Sequence, residues 1–334
     1  MSVLYIQEQG SHIAASDGRI IVDASGTVTS IPSETLESIV IFGRVQLNES
    51  AVKLCLKNGI AVTWLSSKGE YFGRLESTSH TNILKQRSQF KAQMNEEFNL
   101  ALAKIVLSAK IKNQAVIVRR YNKNTHDEEL YATMNEMMHL RKNIEEASDL
   151  SQLIGYEGIA SKKYFRALSQ ILKEDFKFES RTRQPPKDGF NSLLSFGYTL
   201  LFYEIYTTIV NSGLNPYAGF IHQDRTNHPT LVSDMMEEWR AVIIDSMVLN
   251  AISRNMFKQE DFITDEQTGG VYLKNEMIRK FVTQYENKVK SSHHYLSYLS
   301  TPMSFRRSIY HQISSLVHVF KEKDPGLYKP VLIR

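Results

Sequence analysis

A single cysteine, Cys55, stands among the 334 residues. No intrachain disulfide can form, and the stapled framework of a small secreted domain is excluded. Cys55 lies in an apolar segment, where a free thiol is expected as buried packing rather than as a nucleophile. No Cys/His cluster has zinc-finger spacing. A Walker-type phosphate loop and the dinucleotide glycine fingerprint are both missing, as is a nucleophile-elbow motif. No apolar run reaches the length needed to cross a bilayer. The first residues, Met1-Ser2-Val3-Leu4-Tyr5-Ile6-Gln7-Glu8, lack the basic start and long apolar stretch of a signal peptide. The expected location is the cytoplasm.

What is present is ordinary for a soluble globular chain: 42% hydrophobic and 23% charged residues. The length suits one large domain, or a small one plus a large one. A net charge of +4 and a pI near 8.9 permit nucleic-acid binding without requiring it.

The texture changes near residue 78. Before it, Val3–Gln7, Arg19–Val22 and Ser38–Phe42 are short Val/Ile-rich runs separated by the turn signals Asp17-Gly18 and Ser25-Gly26. A helix is expected over Glu49–Asn58, stopped by Gly59. Ala61–Leu65 and Glu70–Arg74 read as a strand pair. Residues 1–78 are therefore expected to form a β-rich, sandwich-like domain, 79–90 a polar linker, and 91–334 an all-α domain, an α+β architecture. Apolar residues recur at three- and four-residue spacing over Asn99–Ile111, Asp127–Ile144, Ser161–Leu172, Asn191–Val210, Thr230–Ile252 and Asn275–Val289. There is no internal repeat and no low-complexity tract.

Three spots in the helical part could carry chemistry. In Gly155-Tyr156-Glu157-Gly158 an acid between two glycines precedes the helix through Tyr164 and Phe165. It reads either as a close-packed ligand or as a helix-capping acid. His222 follows the apolar Gly219-Phe220-Ile221 and opens a polar loop. Asp234 and Glu237 are three apart and would share a helix face, while Met235, Met236, Trp239, Val242 and Ile243 supply a core stripe. Two carboxylates and one imidazole together make a mixed oxygen/nitrogen site suited to Mg²⁺ or Mn²⁺.

These segments resemble the CRISPR-associated "Cas one" endonuclease/integrase family. The resemblance rests on Gly155-Tyr156-Glu157-Gly158 with Tyr164-Phe165, and on Arg183-Gln184-Pro185-Pro186-Lys187-Asp188-Gly189-Phe190-Asn191 with Leu194-Ser195-Phe196-Gly197-Tyr198. It rests equally on Gly219-Phe220-Ile221-His222-Gln223-Asp224-Arg225 and Asp234-Met235-Met236-Glu237-Glu238-Trp239-Arg240. Four motifs in order are specific, and the detail is similar to the subtype I-C branch. The resemblance implies that Glu157, His222 and Glu237 are catalytic and hold the metal, with Asp234 as a supporting acid. Some family members carry Asp where this chain has Glu237. Arg225 and Arg240 fall where the family places basic residues facing DNA, the alternative for each being a surface salt bridge. Lys162, Lys163, Arg181, Arg183 and the pair Arg306-Arg307 are further candidates for a DNA track.

The implied activity is metal-dependent phosphodiester transfer: a 3′-hydroxyl on a short foreign duplex attacks the CRISPR repeat, inserting a spacer. The implied partners are double-stranded DNA, a second copy of the chain and the small "Cas two" protein. Two other readings remain at this point: a general metal-dependent repair nuclease, and a DNA-holding subunit without chemistry.

Overall fold

In a computed structural model of the chain, residues 2–295 and 299–334 are described. Two compact units emerge: Met1–Thr81 with Lys274–Val282, and Asn82–Leu273 with Thr283–Arg334.

The first unit opens with β1 (Ser2–Ile6), β2 (His12–Ser16), β3 (Arg19–Ala24), β4 (Thr27–Pro32), β5 (Leu36–Phe42) and β6 (Gln46–Leu47). Helix α1 (Glu49–Asn58), β7 (Ala61–Leu65) and β8 (Tyr71–Leu75) follow. The strands form two four-stranded sheets, in the orders β1-β5-β7-β8 and β4-β3-β2-β6. Asp17-Gly18 and Ser25-Gly26 lie at positive φ, the geometry that joins twisted strands in two-residue hairpins. Each dipeptide thereby pairs β3 with a neighbour on either side. Ile6, Ile13, Ile20, Val22, Ile39, Ile41 and Val62 from both sheets share one core with Ala51 and Cys55 of α1. Burial pushes the Cys55 thiol up to about 11, so it is protonated and inert. Asn48 caps α1 by accepting from Ala51 N, and Gly59 ends it in the left-handed region.

The second unit is helical. It contains α2 (Ile83–Gln93), α3 (Glu96–Thr125), α4 (Glu128–Glu146), α5 (Leu150–Ile171), α6 (Gly189–Asn211), α7 (Thr230–Met236) and α8 (Ser246–Ser253). The hairpin of β9 (Phe262–Thr264) and β10 (Val271–Leu273) comes next. Helix α9 (Asn275–Lys290) contributes its second half to this unit, followed by β11 (Ser292–His293), β12 (Met303–Ser304) and α10 (Phe305–Glu322).

The expected linker is mostly α2. Asn82 accepts from Lys85 N and starts the helix, while Gln89, wholly buried, bonds to the carbonyls of Asn215 and Ala218 at 2.9 Å. A buried glutamine with two partners makes a polar segment part of the packing. The helix expected over Thr230–Ile252 is broken instead. After α7 the chain tightens at Glu237–Trp239 and widens into a π-helical turn, Arg240–Asp245, before α8. Such insertions are frequent at functional sites. The expectation of no bilayer-length apolar segment is also corrected. By length and composition α6 is long and apolar enough, but most of its residues, Phe190, Leu193, Leu194, Leu200, Leu201, Ile205 and Ile209 among them, are buried in the helical core.

Candidate active site

Glu157 lies inside α5 rather than ahead of it. Asp149 caps that helix, its carboxylate accepting from Gln152 N at 2.9 Å, so the helix begins well before the expected Ser161. The capping reading of Glu157 is thereby excluded. A Cβ added at Gly155 or Gly158 would meet open space, so neither glycine serves a close approach within this chain. One helical turn on, Ser161 Oγ donates to Glu157 Oε1 at 2.6 Å.

His222 is placed by Asp234 of α7, whose side chain is wholly buried. Asp234 Oδ2 accepts the backbone N–H of Phe220 at 2.6 Å and of Ile221 at 3.0 Å. Oδ1 accepts His222 N at 3.2 Å and lies 2.5 Å from His222 Nδ1. The loop is drawn so close that a Cβ on Gly219 would fall 2.5 Å from Asp234 Oδ2 and 2.9 Å from the Thr230 backbone; only glycine fits there. The Asp234 hydrogen bond raises the His222 pKa, against a smaller opposing effect of burial. With Nδ1 held by a carboxylate, the ring presents Nε2 outward, as histidine ligands of metals are oriented.

Glu237, at the break after α7, is 5% exposed, and Lys110 of α3 is 8% exposed. The Lys110 ammonium contacts Glu157 Oε1 and stands 2.6 Å from Glu237 Oε2. The ammonium is poorly aligned with Glu237 Oε2, but at this distance it is still a charge-assisted contact that helps to lower the Glu237 carboxyl. Arg240 Nη2 lies 3.6 Å from the other oxygen. Burial alone would raise the Glu237 carboxyl, but Arg240 and Lys110 outweigh it and hold the group at about 2. The Glu237 charge also reaches His222 and helps to raise it.

Two carboxylates, one from α5 and one from the break after α7, thus converge on one point, with an oriented imidazole in the same electrostatic neighbourhood. Among the described residues, no three of His, Cys, Asp and Glu group closely enough to enclose a metal ion; the position between Glu157 and Glu237 is held by an ammonium. The donor set still fits a hard divalent ion: both acids face a cationic point, and one buried carboxylate oxygen is met only by that poorly aligned ammonium among the described residues.

The chain matches the family described as CRISPR associated protein Cas1 over residues 4–287. It belongs to the Cas1 family. A "CRISPR-associated endonuclease Cas1" of Mycobacterium tuberculosis is 32% identical over 327 residues, covering 98% of this chain and 96% of that protein. Among solved structures, a "Cas6-RT-Cas1--Cas2 complex" superposes with a TM-score of 0.86 at 25% identity, covering 98% of this chain and 36% of that one. A "Casposase bound to integration product" gives 0.84 at 20% identity, covering 97% and 92%, a likeness of fold.

The basic residues of this Cas1 chain divide by their partners. Arg183, Lys162 and Arg225 are exposed. Lys163 pairs with Glu136 at 2.5 Å. Arg240 does two things: it pairs loosely with Glu237, and its guanidinium lies 5.3 Å from the centre of the Tyr198 ring, with Nε buried and unbonded. Arg306 leaves the DNA track. It is buried, with Nε on Glu204 Oε1 at 2.9 Å and Nη2 on Glu286 Oε1 at 2.6 Å, so its donors are spent internally, whereas Arg307 is exposed.

Sequence reasoning passed over Lys110 and Asp245, and it offered Arg181 only as part of a DNA track. Asp245, in the π-helical turn, accepts from Tyr164 at 2.9 Å and Tyr198 at 2.6 Å. Arg181 packs 5.4 Å from the Tyr198 ring centre and donates to Asn191 Oδ1 at 2.9 Å and Ser195 Oγ at 3.0 Å. The available signal for Lys110 was a lysine beside the buried Asn113 and among the apolar residues 102–118 of α3, a pattern that a partly solvated helix also produces.

Proposed function

We propose that this Cas1 chain is a divalent-metal-dependent DNA endonuclease and strand transferase of CRISPR adaptation, with Glu157, His222 and Glu237 holding Mg²⁺ or Mn²⁺. One observation carries the reading. Glu157 of α5 and Glu237 beyond α7 are drawn to a single cationic point, while His222 has its Nδ1 already taken by Asp234. The bound ion would supply Lewis-acid chemistry, acidifying the attacking hydroxyl and neutralising charge on the phosphate.

The protein groups do the rest. Asp234 fixes the orientation of His222. Arg240, anchored between Glu237 and the Tyr198 ring, offers its outer donors to a substrate phosphate. Exposed Arg225, Lys162 and Arg183 extend the positive track, where phosphate contacts set affinity and salt dependence. The 3′-hydroxyl of a short duplex forms a new O–P bond with the repeat strand, and the O–P bond to the displaced 3′-oxygen breaks, that oxygen taking up a proton. A second copy of the chain and the small Cas2 protein are the proposed partners. The Cas1–Cas2 complex among the structural neighbours supports the latter.

The test supplies a supercoiled plasmid bearing a CRISPR repeat, a short duplex, the partner protein and Mn²⁺. Glu157→Gln and His222→Ala should each lower insertion by about 10²- to 10³-fold, with DNA binding largely kept. Cleavage by the wild-type chain without insertion favours a general repair nuclease. Unchanged activity in both variants favours a DNA-holding subunit.

A further inference from the structure

Lys110 is the least expected member of the site. It reaches in from α3, is nearly buried, and its ammonium touches Glu157 and stands 2.6 Å from Glu237 Oε2. Among the described residues that buried oxygen is met by this ammonium alone, and in poor alignment. The ammonium therefore neutralises the pair, with a well-made contact on Glu157 and a weakly directed one on Glu237. Arg240 approaches only the opposite oxygen of Glu237, and at 3.6 Å, so it does not fill the same position. Lysine is a compact point charge on a flexible four-carbon stem, able to leave by side-chain rotation.

We propose that Lys110 is a displaceable internal counter-ion: it holds Glu157 and Glu237 together before a divalent ion arrives and is expelled when the ion binds. This inference rests on the metal reading above. Metal–oxygen distances are about 2.0–2.1 Å for Mg²⁺. An ion taking both carboxylates would occupy the place where the ammonium now stands, and two cations do not share it. Before metal arrives, Lys110 offsets the repulsion between buried Glu237 and part-buried Glu157. For metal binding, the same contact is a competitor, because apparent affinity falls by the fraction of molecules whose site is closed by the lysine. Lys110 is thus a positioning residue whose removal makes the metal-free protein weaker and metal binding tighter. A lysine with only a structural role would move the first and leave the second.

The experiment is a calorimetric titration of the full chain with Mn²⁺ alone, paired with thermal melts with and without Mn²⁺, on wild type, Lys110→Met, Lys110→Arg and Glu157→Gln. Lys110→Met should bind Mn²⁺ tighter than wild type by about tenfold or more. It should melt lower without metal and gain more from Mn²⁺ than wild type does. Lys110→Arg, which keeps the charge, should bind no tighter than wild type. If Lys110→Met is unfolded without metal, Mn²⁺ should restore the fold. Equal or weaker binding by Lys110→Met, or tightening in Lys110→Arg to match it, overturns the proposal. So does a Lys110→Met chain that stays unfolded in saturating Mn²⁺. The two readings separate cleanly. If wild type binds Mn²⁺ in a Glu157-dependent manner and Lys110→Met binds equally, only the role of Lys110 fails. If neither chain binds Mn²⁺, the metal reading fails and takes this one with it.

Discussion

At the scale of single residues, Asp234 is the point on which the site geometry turns. Its carboxylate gathers three backbone N–H groups and one imidazole nitrogen, and it is fully buried. Deleting such an acceptor strands several donors, each costing about 1–3 kcal/mol. Asp234→Ala should therefore lower stability by at least about 3 kcal/mol, read as a shift in the urea midpoint. Asp234→Asn keeps the shape but loses an acceptor. It should lose less stability while weakening Mn²⁺ binding by about 10- to 100-fold, because the His222 ring loses its charged orienting partner; a calorimetric Kd equal to wild type would remove Asp234 from that role. Gly219→Ala should cost about 1–3 kcal/mol, since the new methyl would meet Asp234 and the Thr230 backbone. The sequence shows Asp234 twelve residues after His222 and three before Glu237. Nothing in that spacing says that the carboxylate turns back onto the loop, because helical spacing reports which residues share a face and not what the face meets.

At the scale of elements, α1 and β7 could be read to the residue, since Gly59 marks the end of the helix chemically and Ala61–Leu65 is a short apolar run just after it. Where the signals were weaker the reading slipped. The helix was expected to begin at Ser161, with Gly155-Tyr156-Glu157-Gly158 ahead of it, yet the Asp149 cap starts α5 earlier and carries it through both glycines. Residues 79–90 read as linker because their polar side chains suggest solvent, whereas Ile83–Gln93 is helical and Gln89 is buried and satisfied. Charge at the sequence level also hides its partner. Arg306-Arg307 reads as a basic surface pair, but Arg306 joins α6, α9 and α10 through Glu204 and Glu286, and Tyr285 donates to Glu204 at 2.6 Å. Breaking a buried ionic network costs about 3–5 kcal/mol. Arg306→Ala should lower the melting temperature accordingly, while the salt dependence of DNA binding stays as in wild type. A shallower slope of log affinity against log salt would return Arg306 to the DNA surface.

At the scale of the whole chain, strand-period segments followed by helix-period segments were legible because those two periods leave different marks. The membership of Lys274–Val282 in the first unit was not, since periodicity shows that a helix has an apolar face and says nothing about its partner. The same holds for the C-terminal residues. Tyr328, Val331 and Ile333 are buried without forming a helix or strand, tied by Asn113, which donates to Val331 O and accepts from Ile333 N, both at 3.0 Å. Their other anchor is Glu238, next to Glu237 in sequence. It accepts from Val331 N at 2.8 Å, from Tyr328 at 3.1 Å and from Gln312. Burial raises the Glu238 carboxyl from 4.5 to about 8, against the lowering effect of these donors. The folded chain then holds a proton that the unfolded chain has released, so the contribution to stability is complete below the unfolded pKa and is lost as pH rises through the folded one. Glu238→Gln removes the titration and adds a pH-independent cost from its misplaced amide. The wild-type melting temperature minus that of Glu238→Gln should therefore be largest near pH ~5 and shrink steadily towards pH ~8. A difference that stays flat over that range would mean that Glu238 is ionised in the fold, and that the C-terminal segment is held by a charge rather than by a neutral acid.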